Sequence, residues 1–391
     1  MRLPTQLDRY PAKMVSRLAD RLVERYASNA GRLLDPFCGS GAVLVAAHQR
    51  GIPVSGVDLN PIAALFSCAK LKGFSPNRAT ELANKLILAA QGTTHPLPIR
   101  WSSKHYWFTP QTLDKFERLR AASRRLNLQA SNDGMAVLLS FALSVRPCSR
   151  ADQRSPKPFI SKRAKEFRKG RHFDPYRTLL SVLHNLAEMY GRRSTSADSR
   201  FVLADVTSDS SISNKIGKHS HVITSPPYIN AQDYFRNFKL ELYLLEGMLP
   251  FRVDDFRERF IGTERGHLLA GIPDGILDRN YELVPSLRSL NHRVPRLAEV
   301  VHRYLYDMGR AFDTIKDCLV PKGFFVLVCG DNLIGGVRIR TWHVLRHMIE
   351  ERGFRLFDMF SDRIENRMLA PKRCGHKGLI KEEVVCAFQM E

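Results

Sequence analysis

The residues best suited to chemistry in this chain are Thr224-Ser225-Pro226-Pro227-Tyr228. An apolar run, His221-Val222-Ile223, precedes them and reads as the end of a short buried strand. Neither Pro226 nor Pro227 can continue a strand ladder, because neither has an N–H to donate. The prolines stiffen the backbone and leave the carbonyls of Ser225 and Pro226 without partners from a regular element. Tyr228 follows at once, with a flat face for stacking. Carbonyl acceptors beside an aromatic plate suit a planar ring that carries an exocyclic amine. A proline turn with a surface tyrosine is the competing reading of these residues taken alone.

A second group stands nearer the N-terminus. Arg32-Leu33-Leu34-Asp35 reads as a strand entering a glycine turn, Phe37-Cys38-Gly39-Ser40-Gly41, which lets backbone come close to a ligand. The turn lacks the third glycine of a dinucleotide fingerprint, and no Lys-Ser/Thr follows it as in a phosphate-cradling P-loop. Pro53 to Asp58 is a second strand ending in an acid, placed to take ribose hydroxyls. Phe201 to Val206 is a third, whose Asp205 suits an adenine amine. A strand-end acid is often only a helix cap; three in register favour a ligand. After the proline motif, Asn230, Asp233, Tyr234 and Arg236 either line the same pocket or form a helix start capped by Asp233.

These groups need a scaffold. Pro11 to Arg25 has helical spacing, Ala42 to Gln49 is a helix stopped by Gly51, and Pro61 opens another that runs to about Lys72. The β-turn-α-β-acid order opens a doubly wound parallel sheet. Residues 73–200 break the rhythm: 78–91 and 112–126 read as helices, and 136–145 as an apolar helix. Residues 250–295 read as a loop-rich insertion with Gly262, Gly266, Gly271, Pro273 and Gly275. A long helix from Arg296 to Leu319, ended by Pro321 and Gly323, leads to a buried strand, 324–329. A helix, 341–351, and two strands, 354–360 and 384–388, complete the chain. The expected fold is α/β: a seven-stranded, mostly parallel, doubly wound sheet with two insertions. The catalytic domain spans 1–72, 201–249 and 296–391, with 73–200 and 250–295 inserted.

Over 391 residues, Lys+Arg 60 against Asp+Glu 39 give a net charge of +21, which implies a polyanionic partner. The excess concentrates in Arg150, Arg154, Lys157, Lys162, Arg163, Lys165, Arg168, Lys169 and Arg171, among Pro147, Pro156, Pro158 and Pro175. Such a segment reads as a clamp on nucleic-acid phosphates, against the alternative of a solvated loop. No apolar run could span a bilayer, and Met1 to Gln6 lacks the apolar core of a signal peptide, which points to the cytoplasm. Seven scattered cysteines make no disulfide framework. Cys374 and His376 lack a second spaced pair, so no metal centre is expected.

Together the motifs resemble a known family. Asp35-Pro36-Phe37-Cys38-Gly39-Ser40-Gly41 is similar to the S-adenosyl-L-methionine motif of DNA amino-methyltransferases, and Asp58-Leu59-Asn60-Pro61 to their ribose-binding motif. Thr224 to Tyr228 resembles their catalytic motif in the Ser-Pro-Pro-Tyr form typical of cytosine-N4 enzymes; adenine-N6 enzymes more often carry Asp or Asn where Ser225 stands. Arg9-Tyr10-Pro11-Ala12-Lys13 is similar to the segment folded over the methionine end of the cofactor, and the tail from Ile364 to Val384 to the end of the catalytic domain. The resemblance covers about two thirds of the chain and leaves out both insertions. It implies a Rossmann-like methyltransferase fold and S-adenosyl-L-methionine bound by Tyr10, Pro11, Asp35, Phe37, Cys38, Gly39, Gly41, Asp58, Leu59, Asp205 and Val206. Catalysis would rest on Ser225, Pro226, Pro227 and Tyr228, acting on double-stranded DNA associated with a prokaryotic nucleoid. Family habit adds a separately encoded restriction endonuclease.

The implied reaction is direct transfer to the N4 amine of a flipped-out cytosine. Four other readings stay open at this point. An adenine-N6 enzyme departs at Ser225. A guanine-amine methyltransferase of RNA shares the glycine turn but usually carries Asp at position 225 and an added N-terminal domain. Carbon-5 methylation needs a nucleophilic cysteine, and the one Pro-Cys dipeptide, Pro147-Cys148, has the wrong flanks and precedes the third strand. A non-catalytic binder would not need Gly39, Gly41, Asp58 and the proline motif intact.

Overall fold

The computed structural model describes residues 10, 14–29, 31–155, 157–169, 173–191, 197–208, 211–229, 234–256, 259–263, 283–363 and 382–391. Of the residues singled out above, Met1 to Gln6, Arg9, Pro11, Ala12, Lys13, Pro156, Arg171, Asn230, Asp233, Gly266, Gly271, Pro273, Gly275 and the tail from Ile364 to Lys381, with Cys374 and His376, lie outside these ranges, as does the side chain of Arg168. The chain forms two units. One draws on residues 12–59, 196–233 and 257–391, the other on 1–11, 60–195 and 234–256.

The first unit is the sheet. Its strands are β1 (Leu33–Asp35), β2 (Val54–Asp58), β3 (Ser199–Leu203), β4 (His219–Thr224), β5 (Leu319–Cys329), β6 (Asn332–Ile334), β7 (Val337–Ile339), β8 (Phe354–Arg363) and β9 (Glu382–Met390). Seven of them form one sheet in the order β3-β2-β1-β4-β5-β9-β8; β6 and β7 make a separate hairpin. β3, β2, β1, β4 and β5 run parallel, and β9 is antiparallel to both its neighbours. The seven-stranded, mostly parallel, doubly wound sheet is thus the observed fold. The order reverses between β1 and β4, and in open α/β sheets ligands bind at the carboxyl ends of the strands at such a switch point.

Apolar runs such as Val326-Leu327-Val328-Cys329 are buried because the sheet is covered on both faces. The helix Pro295–Cys318 starts on a proline and buries Val301, Tyr304, Leu305, Met308, Phe312 and Ile315 at helical spacing. It runs directly into β5, which is longer than the sequence suggests. Lys322 takes a left-handed φ of 61°, and the pairing with β4 shifts register, so a bulge absorbs Pro321 and Gly323 inside the strand.

The second unit is helical: Pro61–Leu71, Pro76–Gln91, Pro110–Leu126, Asn132–Cys148, Lys162–Arg168, Pro175–Tyr190 and Tyr234–Leu245 are its main helices. Four of them begin with proline behind a capping residue, Asn60, Ser75, Thr109 or Asp174, whose side chain accepts a first-turn N–H. Asn132–Cys148 is buried almost throughout and packs against Pro61–Leu71, Pro76–Gln91, Pro175–Tyr190 and Tyr234–Leu245. Its buried Arg146 bonds the carbonyls of Ser155 and Asn237 and pairs with Glu241. Cys148, the dipeptide cysteine, is buried at the end of this helix rather than at a strand end. No helix among the described residues is long and apolar enough to cross a membrane.

Candidate active site at the carboxyl edge of the sheet

Because β1 to β4 are parallel, their last residues share one edge. Asp35 ends β1 and is 4% exposed. Its Oδ1 accepts from Thr224 Oγ1 at 2.6 Å and from the Phe37 N–H at 3.1 Å. The first of these bonds ties the end of β4, and so the proline motif, to the start of the glycine turn. Burial above all pushes the Asp35 carboxyl up to about 7, with the hydrogen bonds from Thr224 and Phe37 opposing and the charge of Asp58 adding.

The turn itself doubles back tightly. Gly39 and Gly41 adopt φ of 49° and 79°, left-handed values that glycine takes without steric cost. The Gly41 N–H bonds the Cys38 carbonyl at 2.7 Å, and the Cys38 N–H bonds Val57 on β2 at 3.1 Å. Asp58 ends β2 and accepts the Gly39 N–H on Oδ2 at 2.8 Å, so this acid also braces the turn. Phe37 and Leu59 are half-buried beside it. β3 stops at Leu203, two residues short of Asp205, while Asp58 pairs in register with Leu203. Asp205 is buried and accepts from the Thr207 N–H and hydroxyl at 2.9 and 2.7 Å. Its other oxygen takes Arg259 Nε at 2.9 Å, and Arg259 Nη2 donates to Ser208 Oγ at 2.8 Å. Val206 is buried in the core beneath.

The proline motif is fixed at several points. Ser225, Pro227 and Tyr228 are half-buried and Pro226 is buried. The Tyr228 hydroxyl donates to Glu383 Oε1 at 2.6 Å, at the start of β9. Burial and the Glu383 charge together raise the phenol well above its usual range, so it stays a donor. Asn332 Nδ2 donates to the Ile229 carbonyl at 3.2 Å, and Thr341 Oγ1 donates to Asn332 Oδ1 at 2.8 Å. Residues 260–263 are buried, and Gly262 sits so close to Tyr228 that an added Cβ would lie 2.9 Å from its carbonyl oxygen.

Three known proteins are similar in sequence to this chain. The Type II methyltransferase M.MvaI of Kocuria varians is 34% identical over 80 residues, 20% of this chain and 18% of that protein. The Type II methyltransferase M.AvaI of Nostoc sp. (strain PCC 7120) is 22% identical over 398 residues, 86% of this chain and 76% of that one. A tRNA (guanine(10)-N2)-dimethyltransferase of Methanothermobacter thermautotrophicus is 42% identical over 52 residues, 13% of this chain and 16% of that one. All three are methyltransferases. No family model matches the chain.

The sheet edge therefore gathers Asp35, Phe37, Cys38, Gly39, Gly41, Asp58, Leu59, Asp205, Val206 and the motif from Ser225 to Tyr228. Tyr10 belongs to the helical unit. It is buried there among Phe66, Tyr234 and Phe238, at ring distances of 6.4, 6.4 and 5.4 Å, and accepts from Asn60 Nδ2 at 3.4 Å. Three contributors escaped sequence reasoning. Glu383 could have been suspected as an acid opening a buried strand. Arg259 and Asn332 carry no local pattern that marks them. Among the described residues no group of three or more His, Cys, Asp or Glu could hold a metal ion.

The basic segment forms a hydrogen-bonded loop and a short helix in the helical unit. Asp152, buried, accepts from Arg154 N–H, Nε and Nη2 at 3.0, 3.3 and 3.2 Å and from Ser161 Oγ at 2.6 Å. Burial pushes the Asp152 carboxyl up, but these hydrogen bonds and the Arg154 charge outweigh it and bring it to about 2. Ser161 also caps the helix Lys162–Arg168, on which Lys162, Arg163 and Lys165 are exposed while Ala164 is buried. Arg150 and Lys169 are exposed as well, and Lys157 is half-buried.

Proposed function

We propose that this chain is an S-adenosyl-L-methionine-dependent DNA methyltransferase acting on the N4 amine of a cytosine turned out of the duplex. The observation that supports this most is the bond between Thr224 and Asp35, which joins the proline motif to the glycine turn at the strand-order switch. The glycine turn fits the cofactor chemically: Gly39 and Gly41 place no side chain at a tight left-handed turn, and acids stand at or just past the ends of β1, β2 and β3. Asp58 would take its ribose, Asp205 and Val206 its adenine, and Asp35, Phe37, Cys38 and Leu59 would frame it. When bound, it supplies an electrophilic methyl group.

The chain's own task is to make an amine nucleophilic. The target nitrogen is conjugated with its ring and attacks poorly. The Pro226 carbonyl and Ser225 would accept its N–H groups and oppose that conjugation. Orientation and fixed dipoles then carry the catalysis, with no covalent enzyme intermediate. Tyr228 would stack on the flipped base, its ring steadied through Glu383. Ser225 in the first position of the motif favours cytosine over adenine. Under this reading Arg150, Arg154, Lys157, Lys162, Arg163, Lys165, Arg168, Lys169 and Arg171 hold DNA phosphates, and 73–200 includes the target-recognition region.

The test is expression in a host lacking DNA methylation, followed by single-molecule sequencing of its genome. N4-methylcytosine at one sequence is the expected result; N6-methyladenine would overturn the choice of base. The short match to a tRNA dimethyltransferase favours a second reading, a guanine amine in RNA. Labelled methyl entering tRNA but not DNA would select it. The proposal extends to a cognate restriction endonuclease, from which DNA carrying the mark would be protected.

A further inference from the structure

Two exposed aromatic rings stand in the helical unit, Tyr106 on the short helix Lys104–Trp107 and Phe159 in the basic segment. Tyr106 is 58% exposed and Phe159 is 48% exposed. A scattered exposed aromatic needs no explanation. These two, however, are stitched into one surface. The Arg150 N–H bonds the Trp107 carbonyl at 2.7 Å, and Arg150 Nη1 bonds the carbonyls of His105 and Tyr106 at 3.0 and 3.3 Å. Two residues on, the Asp152 N–H bonds the Phe159 carbonyl at 2.8 Å. Residues 150–152 therefore lie between the segment bearing Tyr106 and the segment bearing Phe159.

The Tyr106 ring is also posed. It packs edge-on against buried Trp107, with centroids 4.9 Å apart and planes at 85°. The Lys239 ammonium lies 4.7 Å from the Trp107 ring and 5.8 Å from that of Trp101. Asp152 bonds both Arg154 and Ser161, which caps the helix carrying Lys162, Arg163 and Lys165. From 150 to 169 the chain has eight Lys and Arg against two acids, Asp152 and Glu166, and Asp152 is buried.

We infer that Tyr106 and Phe159 are base-contacting residues of a DNA interface. The loop's cations hold the phosphates while the two rings meet unstacked bases. Cations with interleaved aromatic planes are the chemistry that binds a nucleic-acid strand whose bases are exposed. The charge excess excludes an acid-poor partner, and two planes set among the cations distinguish the surface from a purely electrostatic patch. This inference rests on the reading of the chain as a DNA enzyme and names residues outside the sheet-edge site.

The two kinds of contact respond differently to salt, and that separates them. Loss of a phosphate contact reduces the slope of log affinity against log salt by about one, whereas loss of stacking lowers affinity at every salt concentration. The experiment is fluorescence anisotropy of the full chain on a labelled DNA duplex over a salt series, with an RNA hairpin measured in parallel. Tyr106→Ala/Phe159→Ala should weaken DNA binding about tenfold or more with the slope unchanged. Tyr106→Phe should bind as the parent does. An unchanged melting temperature checks that the fold survives. If the parent binds DNA and the double variant matches it, the inference fails and the DNA reading stands. If the parent binds only the hairpin, or neither nucleic acid, the DNA reading fails and takes the inference with it.

Discussion

The sheet edge and the basic loop each hold acids, hydroxyls and aromatic rings, but they fix them by opposite means. At the edge, Asp35, Thr224 and Asp205 are buried, and beside local bonds from Phe37 and Thr207 the site is tied across segments: Thr224 to Asp35, Tyr228 to Glu383, Asp205 to Arg259. In the loop a single buried acid, Asp152, gathers partners close to it in sequence, half-buried Ser161 and an Arg154 whose side chain is 62% exposed. Buried polar groups that lose a partner are costly, because water cannot replace it. Exposed charges are screened, and each contributes little on its own. The first arrangement suits a geometry that must not vary. The second suits a long, regularly charged ligand.

The largest expected effect lies at Tyr228. Tyr228→Ala should lower methyl transfer about a hundredfold, since it removes both a stacking plane, worth roughly 1–3 kcal/mol, and the partner of Glu383. Tyr228→Phe keeps the plane and should lose less. Equal impairment of the two in steady-state kinetics would mean that the bond to Glu383, not stacking, is what matters.

Gly262→Ala comes next. The residue has φ of 76°, and the new Cβ would meet the Tyr228 carbonyl at 2.9 Å. A cost of about 1–3 kcal/mol is expected in urea unfolding. An unchanged midpoint would show that 259–263 yields easily and does not brace the motif.

A smaller, pH-dependent effect belongs to Asp35. The folded chain holds this proton up to about 7, the unfolded chain only to 3.8. The contribution to stability is therefore complete below 3.8 and is lost as pH rises through 7. Asp35→Asn should flatten melting temperature against pH across that window. A parent already flat there would mean that Asp35 is ionised in the fold.

The smallest effects belong to the loop. Lys162→Ala and Lys165→Ala should each weaken DNA binding a few-fold and lower the salt slope by about one, with transfer at saturating DNA unchanged. A large loss from either alone would break the contrast, by showing that the loop too depends on individual residues.

Much of the fold was legible because its cues are local. The runs around Leu33, Val54 and Val326 become strands, and Asp35, Gly39, Asp58 and Ser225 reach one edge because parallel strands end on the same side. Other features misled or were silent. Pro321 and Gly323 read as a break, yet a bulge carries β5 through them. The helix Pro175–Tyr190 lay hidden behind the basic run, although Asp174-Pro175 is a cap followed by a first-turn proline. Asp205 reads as an acid waiting for adenine; here it also pairs with Arg259, more than fifty residues away.

By itself the sequence determined the elements, their alternation and the chemical character of the motif, since strand period, caps and the lack of N–H groups in Pro226-Pro227 act within a few residues. Only the tertiary structure decided which distant side chains complete the site. The partners of Asp35, Tyr228 and Asp205 come from Thr224, Glu383 and Arg259. Side chains so far apart along the chain meet only once the sheet order is set, and no spacing rule in the chain records such a meeting.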